Sequence, residues 1–347
     1  MSGIEERYRF VLRLLPASYR QRWEEDMVAA FLESVTPDDP EDAEYVRDFG
    51  RPSWSEIFSV VGLALRLRLG HPGAPPRYLA WAQAVRLAAL GWLFAYAVAG
   101  VTMLAFHLWL VGRVPGLAAP RGGEFLPAQA DRWMIASVVI AMLWLPAYVA
   151  LLVADLRVAR SLVLLAAGAQ AILLLAEVGR GAPVGGTLLV LLALDALVAL
   201  SMLAFHRGAP RVAARPWLVA LPVGVAVCTG LLVLSIPTGA WWSEWPGQCS
   251  GLVVGAALVH LLRPRFRRTP SWSLALTLLV GAVLALRGLT LLDYVGFGPA
   301  EGYVGPGLIE MAALVAVGLP LAVLSIRALR RLPAEPSDVA GYGQPDR

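Results

Sequence analysis

Between Leu87 and Ile326 the chain is a succession of eight apolar stretches separated by short polar connections. A helix crossing the hydrocarbon core of a bilayer needs about 20 apolar residues at ~1.5 Å rise each. The stretches Leu87–Val111, Trp133–Ala154, Ser161–Val178, Gly185–Phe205, Trp217–Ile236, Gly247–Leu262, Trp272–Leu292 and Pro306–Ile326 therefore predict eight spanning helices. The sixth is the shortest, and a dip rather than a crossing there would move the C-terminus to the other side.

The first 70 residues carry a different pattern, with apolar positions at helical spacing among many charges. Ile4, Tyr8, Val11 and Leu15 share one helix face up to the Pro16 break. Ser18-x-x-Gln21 reads as a capping box that opens a second helix. There Trp23, Met27, Ala30 and Phe31 face inward, while Glu24, Glu25, Asp26 and Glu33 lie mostly on the wet face. An acidic connector, Thr36–Asp42, leads to a short helix ending at Phe49-Gly50, where glycine suits the position after the last helical turn. After Pro52 a third long helix sets Trp54, Ile57, Phe58, Val61 and Leu65 on one side. It ends in Arg66 and Arg68, which fit a helix C-terminus and an anionic membrane surface. Three prolines in His71–Arg77 begin a linker and interfacial segment, residues 71–86.

The arginines orient the spans. Connections 155–160, 206–216 and 263–271, with Arg327, Arg330 and Arg331 after the last span, hold twelve arginines, against Arg113, Arg121, Arg132 and Arg180 in the opposite connections. Basic residues in short loops stay cytoplasmic, so head and tail are both expected in the cytoplasm, with 327–347 a disordered tail. Trp241, Trp242 and Trp245 suit an aromatic belt at the outer boundary. Gly247, Gly251 and Gly255, at consecutive small-xxx-small spacings, predict a face packed closely on a neighbouring helix. Pro146, Pro222 and Pro320 lie within spans and are expected to kink them.

Composition agrees. Apolar residues make up 58% of the chain, charged residues 16%, and mean hydropathy is +0.65, more apolar surface than a water-soluble fold covers. All 29 basic residues are arginine, which suggests a GC-rich coding sequence. The net charge of +4 hides a split, since residues 1–50 hold twelve acids and six arginines. An acidic head opposite a basic inner surface favours docking of one on the other. Direct nucleic-acid binding is not expected, because orientation explains the arginines. No cleavable signal peptide is visible, so the first crossing is expected to act as an uncleaved anchor. Cys228 and Cys249 read as packing residues rather than a disulfide or a metal site.

Leu15-Pro16, Arg20, Glu24-Glu25, Phe31-Leu32-Glu33, Phe49-Gly50-Arg51-Pro52 and Ile57 together resemble the small all-helical HAAS or permease-prefix type of domain. Such domains occur at the cytoplasmic N-terminus of bacterial membrane proteins, often alongside transcription regulators. The resemblance covers about residues 5–65 and implies a regulatory or signalling module. The whole chain is also similar to a group of actinobacterial integral membrane proteins of unassigned activity that open with a stretch like Leu12–Arg20.

Polar residues inside spans are expensive, about 2.5–3.5 kcal/mol for a charge at the bilayer centre. Asp195 falls near the middle of the fourth span. Arg287 and Glu310, each five residues in from the outer ends of the last two spans, predict an ion pair. Asp195 is expected to join them as a third member or to be protonated, with Gln170 as another hydrogen-bonding candidate. These groups read either as interhelical staples or as a proton or substrate pathway. His107 and His260 lie towards opposite span ends and cannot share a metal. No nucleophile elbow, P-loop, HExxH or dinucleotide fingerprint occurs, so no enzyme, cofactor or metal is expected.

The expected architecture is thus an all-α polytopic bundle with a small helical head, in a bacterial inner membrane. Its expected function is regulatory or scaffolding, with Glu24, Glu25 and Glu33 as the face for a cytosolic transcription factor or sigma factor. The alternative is a transporter or permease that uses Asp195 and the Arg287/Glu310 pair. A head that merely caps the bundle is the plainest reading of the same residues. The oligomeric state is left open.

Overall fold

A computed structural model describes residues 3–36, 39–70, 76–114, 132–181, 184–206, 210, 212–235, 245–263, 269–297 and 304–332. Trp241, Trp242, Arg121, Arg207, Arg211, Arg265, Arg267 and Arg268 lie outside the described residues, as do 71–75 of the linker and 333–347 of the tail. The described residues form helices joined by turns and short irregular segments, without strands. They fall into two compact units, residues 1–83 with 328–347, and residues 84–327.

The head contains α1 (Gly3–Leu12), α2 (Ala17–Val35), α3 (Pro40–Phe49) and α4 (Trp54–Arg68). Its core is Ile4, Tyr8, Leu12 and Leu15 against Val28 and Phe31 of α2 and Val60, Ala64 and Leu67 of α4. The Tyr8 and Phe31 rings stack at 3.9 Å. Three expectations need correction, the first being that Trp23 and Ala30 of α2 are exposed rather than turned inward. No capping box forms at Ser18, because Pro16 is the N-cap residue without a side-chain cap and α2 starts at Ala17. The cap falls instead at Ser53, whose hydroxyl accepts from Glu56 N at 3.2 Å, another Ser-x-x-Glu spacing. Finally, α4 buries Val60, Ala64 and Leu67, leaving Trp54 and Phe58 74% and 67% exposed. Gly50 is needed for room, since a Cβ there would stand 2.8 Å from the Ile4 side chain; its φ is not in the left-handed region.

The membrane unit is built by α5 (Pro76–Leu110), α6 (Arg132–Met142), α7 (Trp144–Leu152), α8 (Leu156–Gly179), α9 (Gly186–Ser201), α10 (Ala214–Ser235), α11 (Trp245–Leu262), α12 (Pro270–Phe297) and α13 (Val304–Arg331). Residues 76–83 of α5 and the last turn of α13 are counted with the head unit. Eight helical segments are long and apolar enough to span a membrane, α6 and α7 forming one of them. The chain is a multi-pass membrane protein.

Boundaries shift where local chemistry decides. The interfacial segment is not separate, because α5 begins at Pro76, whose ring presets φ for a first helical turn. Likewise 327–331 belong to α13 rather than to the tail. The second span is interrupted at Leu143. Pro146 has no N–H for the Met142 carbonyl, and α6 ends at Met142. By contrast α10 and α13 run unbroken through Pro222 and Pro320. Asp155 caps α8 by accepting from Val158 N at 3.2 Å.

Half of the spanning windows of α5 and α12 is buried, against 11% for α10, so α5 and α12 are the inner helices. The core gathers Leu90, Leu93 and Ala97 of α5, Trp144 and Tyr148 of α7, Val163 of α8, Val198 of α9, Val283 and Leu286 of α12, and Leu314 of α13. The outside is apolar too: Leu164, Ile172, Leu175 and Ile309 are exposed, as suits a lipid solvent.

The glycine expectation on α11 is overturned at Gly251 and Gly255, while Gly247 is buried. Gly251 and Gly255 face open space, with nothing within 4 Å of the position a Cβ would take, while Cys249, Ala257 and His260 are buried. Close helix approach occurs at Gly100, where a Cβ would stand 2.5 Å from the Ala141 carbonyl oxygen. Gly100→Val should therefore destabilise the bundle by about 2 kcal/mol or more, whereas Gly251→Ala and Gly255→Ala should be neutral within about 1 kcal/mol. Thermal unfolding of the purified variants in one detergent compares them.

Candidate functional site

Among the described residues, buried polar groups of the membrane unit are most numerous on α12 and α11. Arg287 of α12 and Glu310 of α13 form an ion pair, Nε to Oε2 2.9 Å, with side chains 0% and 9% exposed. Arg287 lies ten residues from the end of α12 and Glu310 six from the start of α13, because both helices extend past the expected span ends. Gly307 leaves room for the guanidinium, since a Cβ there would stand 3.1 Å from an Arg287 terminal nitrogen.

Asp195 does not join that pair. It is 4% exposed on α9 and accepts a hydrogen bond from the Tyr96 hydroxyl of α5 at 2.5 Å. Tyr96 is held in turn by Trp92, edge-on at 5.7 Å, and Trp144, at 4.6 Å. Gln170 is half-buried and forms no side-chain hydrogen bond with another described residue.

Further polar contacts run along α12. His260 Nε2 of α11 meets Ser273 Oγ at 2.8 Å, and Thr277 Oγ1 meets Ser325 Oγ of α13 at 3.2 Å. At the other end, Asp293 accepts from the Gly186 and Thr187 backbone N–H groups, both at 2.7 Å. A helix N-terminus has amide donors without intrahelical partners, and here a neighbouring helix supplies the acceptor. Gly185 makes this possible, since a Cβ would stand 2.6 Å from Asp293 Oδ2. The C-terminal end of α9 is served similarly: Arg160 donates to the Met202 and Phe205 carbonyls at 3.3 and 2.6 Å, and Arg86 to the Ala204 carbonyl at 3.5 Å. Arg160, counted with the orienting arginines, thus also caps a helix end.

Tyr96, Asp293 and the capping role of Arg160 were not anticipated from the sequence. The available signals were the Gly185-Gly186-Thr187 helix start and an acid directly after Leu292. His260 meets Ser273, and no group of three or more His, Cys, Asp or Glu among the described residues can hold a metal. Cys228 and Cys249 are buried free thiols.

In the head, the acidic face is engaged. Glu25 takes two bonds from Arg9, at 2.7 and 2.8 Å, and Glu24 lies 3.6 Å from the same guanidinium. The bonds from Arg9 hold the exposed Glu25 carboxyl below its ordinary range. Glu33 is exposed. Burial, then the Glu56 carboxylate, pushes the Tyr8 phenol up to about 12. Across the head, Arg7, Phe10, Arg51, Trp54 and Ile57 line a groove of about 400 Å³. Arg7 is fixed there by the Phe49 and Gly50 carbonyls, at 3.1 and 2.5 Å. Phe58 adjoins Trp54, ring centroids 6.2 Å apart.

No protein-family model, curated protein or solved structure matches the chain. What fold and contacts define is an all-helical multi-pass membrane protein with buried polar contacts in its bundle and a second helical unit with its own core.

Proposed function

We propose that this is a regulatory or scaffold protein of a bacterial inner membrane, with both termini in the cytoplasm, whose head recruits a cytosolic regulator such as a transcription factor or sigma factor. The carrying observation is the aromatic patch on a unit with its own core: Phe10, Trp54 and Phe58 are 68%, 74% and 67% exposed around one arginine-rimmed groove. Exposed apolar clusters of this kind mark interaction surfaces, and aromatic and arginine side chains supply most binding energy where proteins meet. The arginine-rich connections support the orientation, and the HAAS-like residues of the head support the type of partner. The docking face proposed is this aromatic patch; of the acidic face, Glu24 and Glu25 are tied to Arg9 and Glu33 is exposed.

The test uses full-length protein isolated from its own membranes with captured cytosolic proteins quantified. Phe10→Ser, Trp54→Ser and Phe58→Ser combined should lower the amount of a discrete regulator at least about tenfold, with insertion unchanged. Identical co-purifying proteins from wild type and variant would sink the proposal. The permease alternative draws support from buried Asp195, but its three charges do not form one cluster.

A further inference from the structure

Residues of α5, α10 and α11 line a half-open cavity of about 240 Å³, among them Tyr96, Thr102, Met103, Leu232, Trp245 and Gln248. Its walls combine two aromatic rings and a thioether with neutral polar groups. Thr102 is 4% exposed, and its hydroxyl has no hydrogen-bond partner among the described residues. Burying a hydroxyl in that state is unfavourable, so a molecule that the Thr102 hydroxyl meets after a rotation of its side chain recovers the lost interaction. Gln248 is buried at the same wall.

No basic side chain lines the cavity among the described residues, and an acid stands directly behind it. Tyr96 reaches from the cavity wall to Asp195, and its 2.5 Å bond is the one side-chain hydrogen bond of Asp195 among the described residues. Aromatic faces attract cations, most strongly where water is excluded. A carboxyl group one hydrogen bond away supplies a counter-charge in a medium of low dielectric, and the same group disfavours an anion.

We propose that this cavity is a binding site for a small organic ammonium, received on the Tyr96 and Trp245 rings, engaged by Thr102, and balanced by Asp195 through Tyr96. The site lies wholly in the membrane unit and is independent of any partner on the head.

The test is calorimetric titration of the full-length protein in nanodiscs of zwitterionic lipid. Three probes of one shape separate the ligand classes: benzylammonium, benzyl alcohol and benzoate. Benzylammonium should bind saturably at one site, benzyl alcohol at least about tenfold more weakly, and benzoate should not compete. Asp195→Asn should weaken benzylammonium about tenfold. Trp245→Leu, at a half-buried position, tests the aromatic wall without touching the buried acid and should weaken binding about fivefold. Equal affinity for ammonium and alcohol would overturn the proposal. So would unsaturable binding of benzylammonium, or an unchanged affinity in whichever of the two variants folds.

Discussion

Arg287→Leu is expected to be the most damaging single substitution in the membrane unit. Arg287 is fully buried and its Nε lies 2.9 Å from Glu310. Removing one member of a buried pair costs about 3–5 kcal/mol, because the other charge keeps its desolvation penalty without its partner. Glu310→Leu should be nearly as damaging, while Glu310→Gln should be milder, since an amide of the same shape keeps a polar oxygen facing the guanidinium. The informative variant is the double one. Arg287→Leu with Glu310→Leu removes both charges and should recover most of the stability lost in either single variant. Thermal unfolding in detergent and accumulation in membranes measure all four proteins. Full recovery identifies the pair as a staple between α12 and α13. A double variant as unstable as the singles would show that the pair does not act as a simple two-body staple.

The second large effect is expected at Asp293. Its two oxygens accept from Gly186 and Thr187 at 2.7 Å each, so Asp293→Ala removes the acceptor from two amide donors at the start of α9. Loss of a helix cap costs about 1–2 kcal/mol in water, and hydrogen bonds to a charged group are worth about 1.5–3 kcal/mol. A loss of about 2 kcal/mol or more is therefore expected. Asp293→Asn keeps one acceptor oxygen and should lose about half as much. Gly185→Ala should reproduce the aspartate variant from the opposite side, because its Cβ would stand 2.6 Å from Asp293 Oδ2. Hydrogen exchange at Gly186 and Thr187 reports on this cap directly. Unchanged protection in Asp293→Ala would refute the role assigned to it.

The two halves of the chain were legible to different degrees, for a physical reason. Spans are read from length and hydropathy alone, and all eight stretches coincide with spanning segments. The azimuth of each helix is another matter. In water an inward face is apolar and an outward face polar, so periodicity reveals which is which. In lipid both faces are apolar, and the spacing of Gly247, Gly251 and Gly255 defines a stripe without saying what it faces. The bundle turned two of those glycines outward and used Gly100, Gly185 and Gly307 for close approach. Asp195 illustrates the same limit. Its depth was readable, but its partner Tyr96 is 99 residues away on α5. In the head the periodicity of α1 was correct, whereas α4 had two apolar faces. The bulkier one, with Trp54 and Phe58, remained exposed, an arrangement that packing alone does not require.

The contacts along α12 bear on how the chain is made. This helix carries Ser273 for His260, Thr277 for Ser325, Arg287 for Glu310, and Asp293 for the start of α9. During synthesis α9 and α11 leave the ribosome before it, so their polar groups enter the membrane ahead of the residues that satisfy them. A chain ending before Pro270 would therefore carry α9 and α11 without the Ser273 and Asp293 side chains that meet them in the folded bundle.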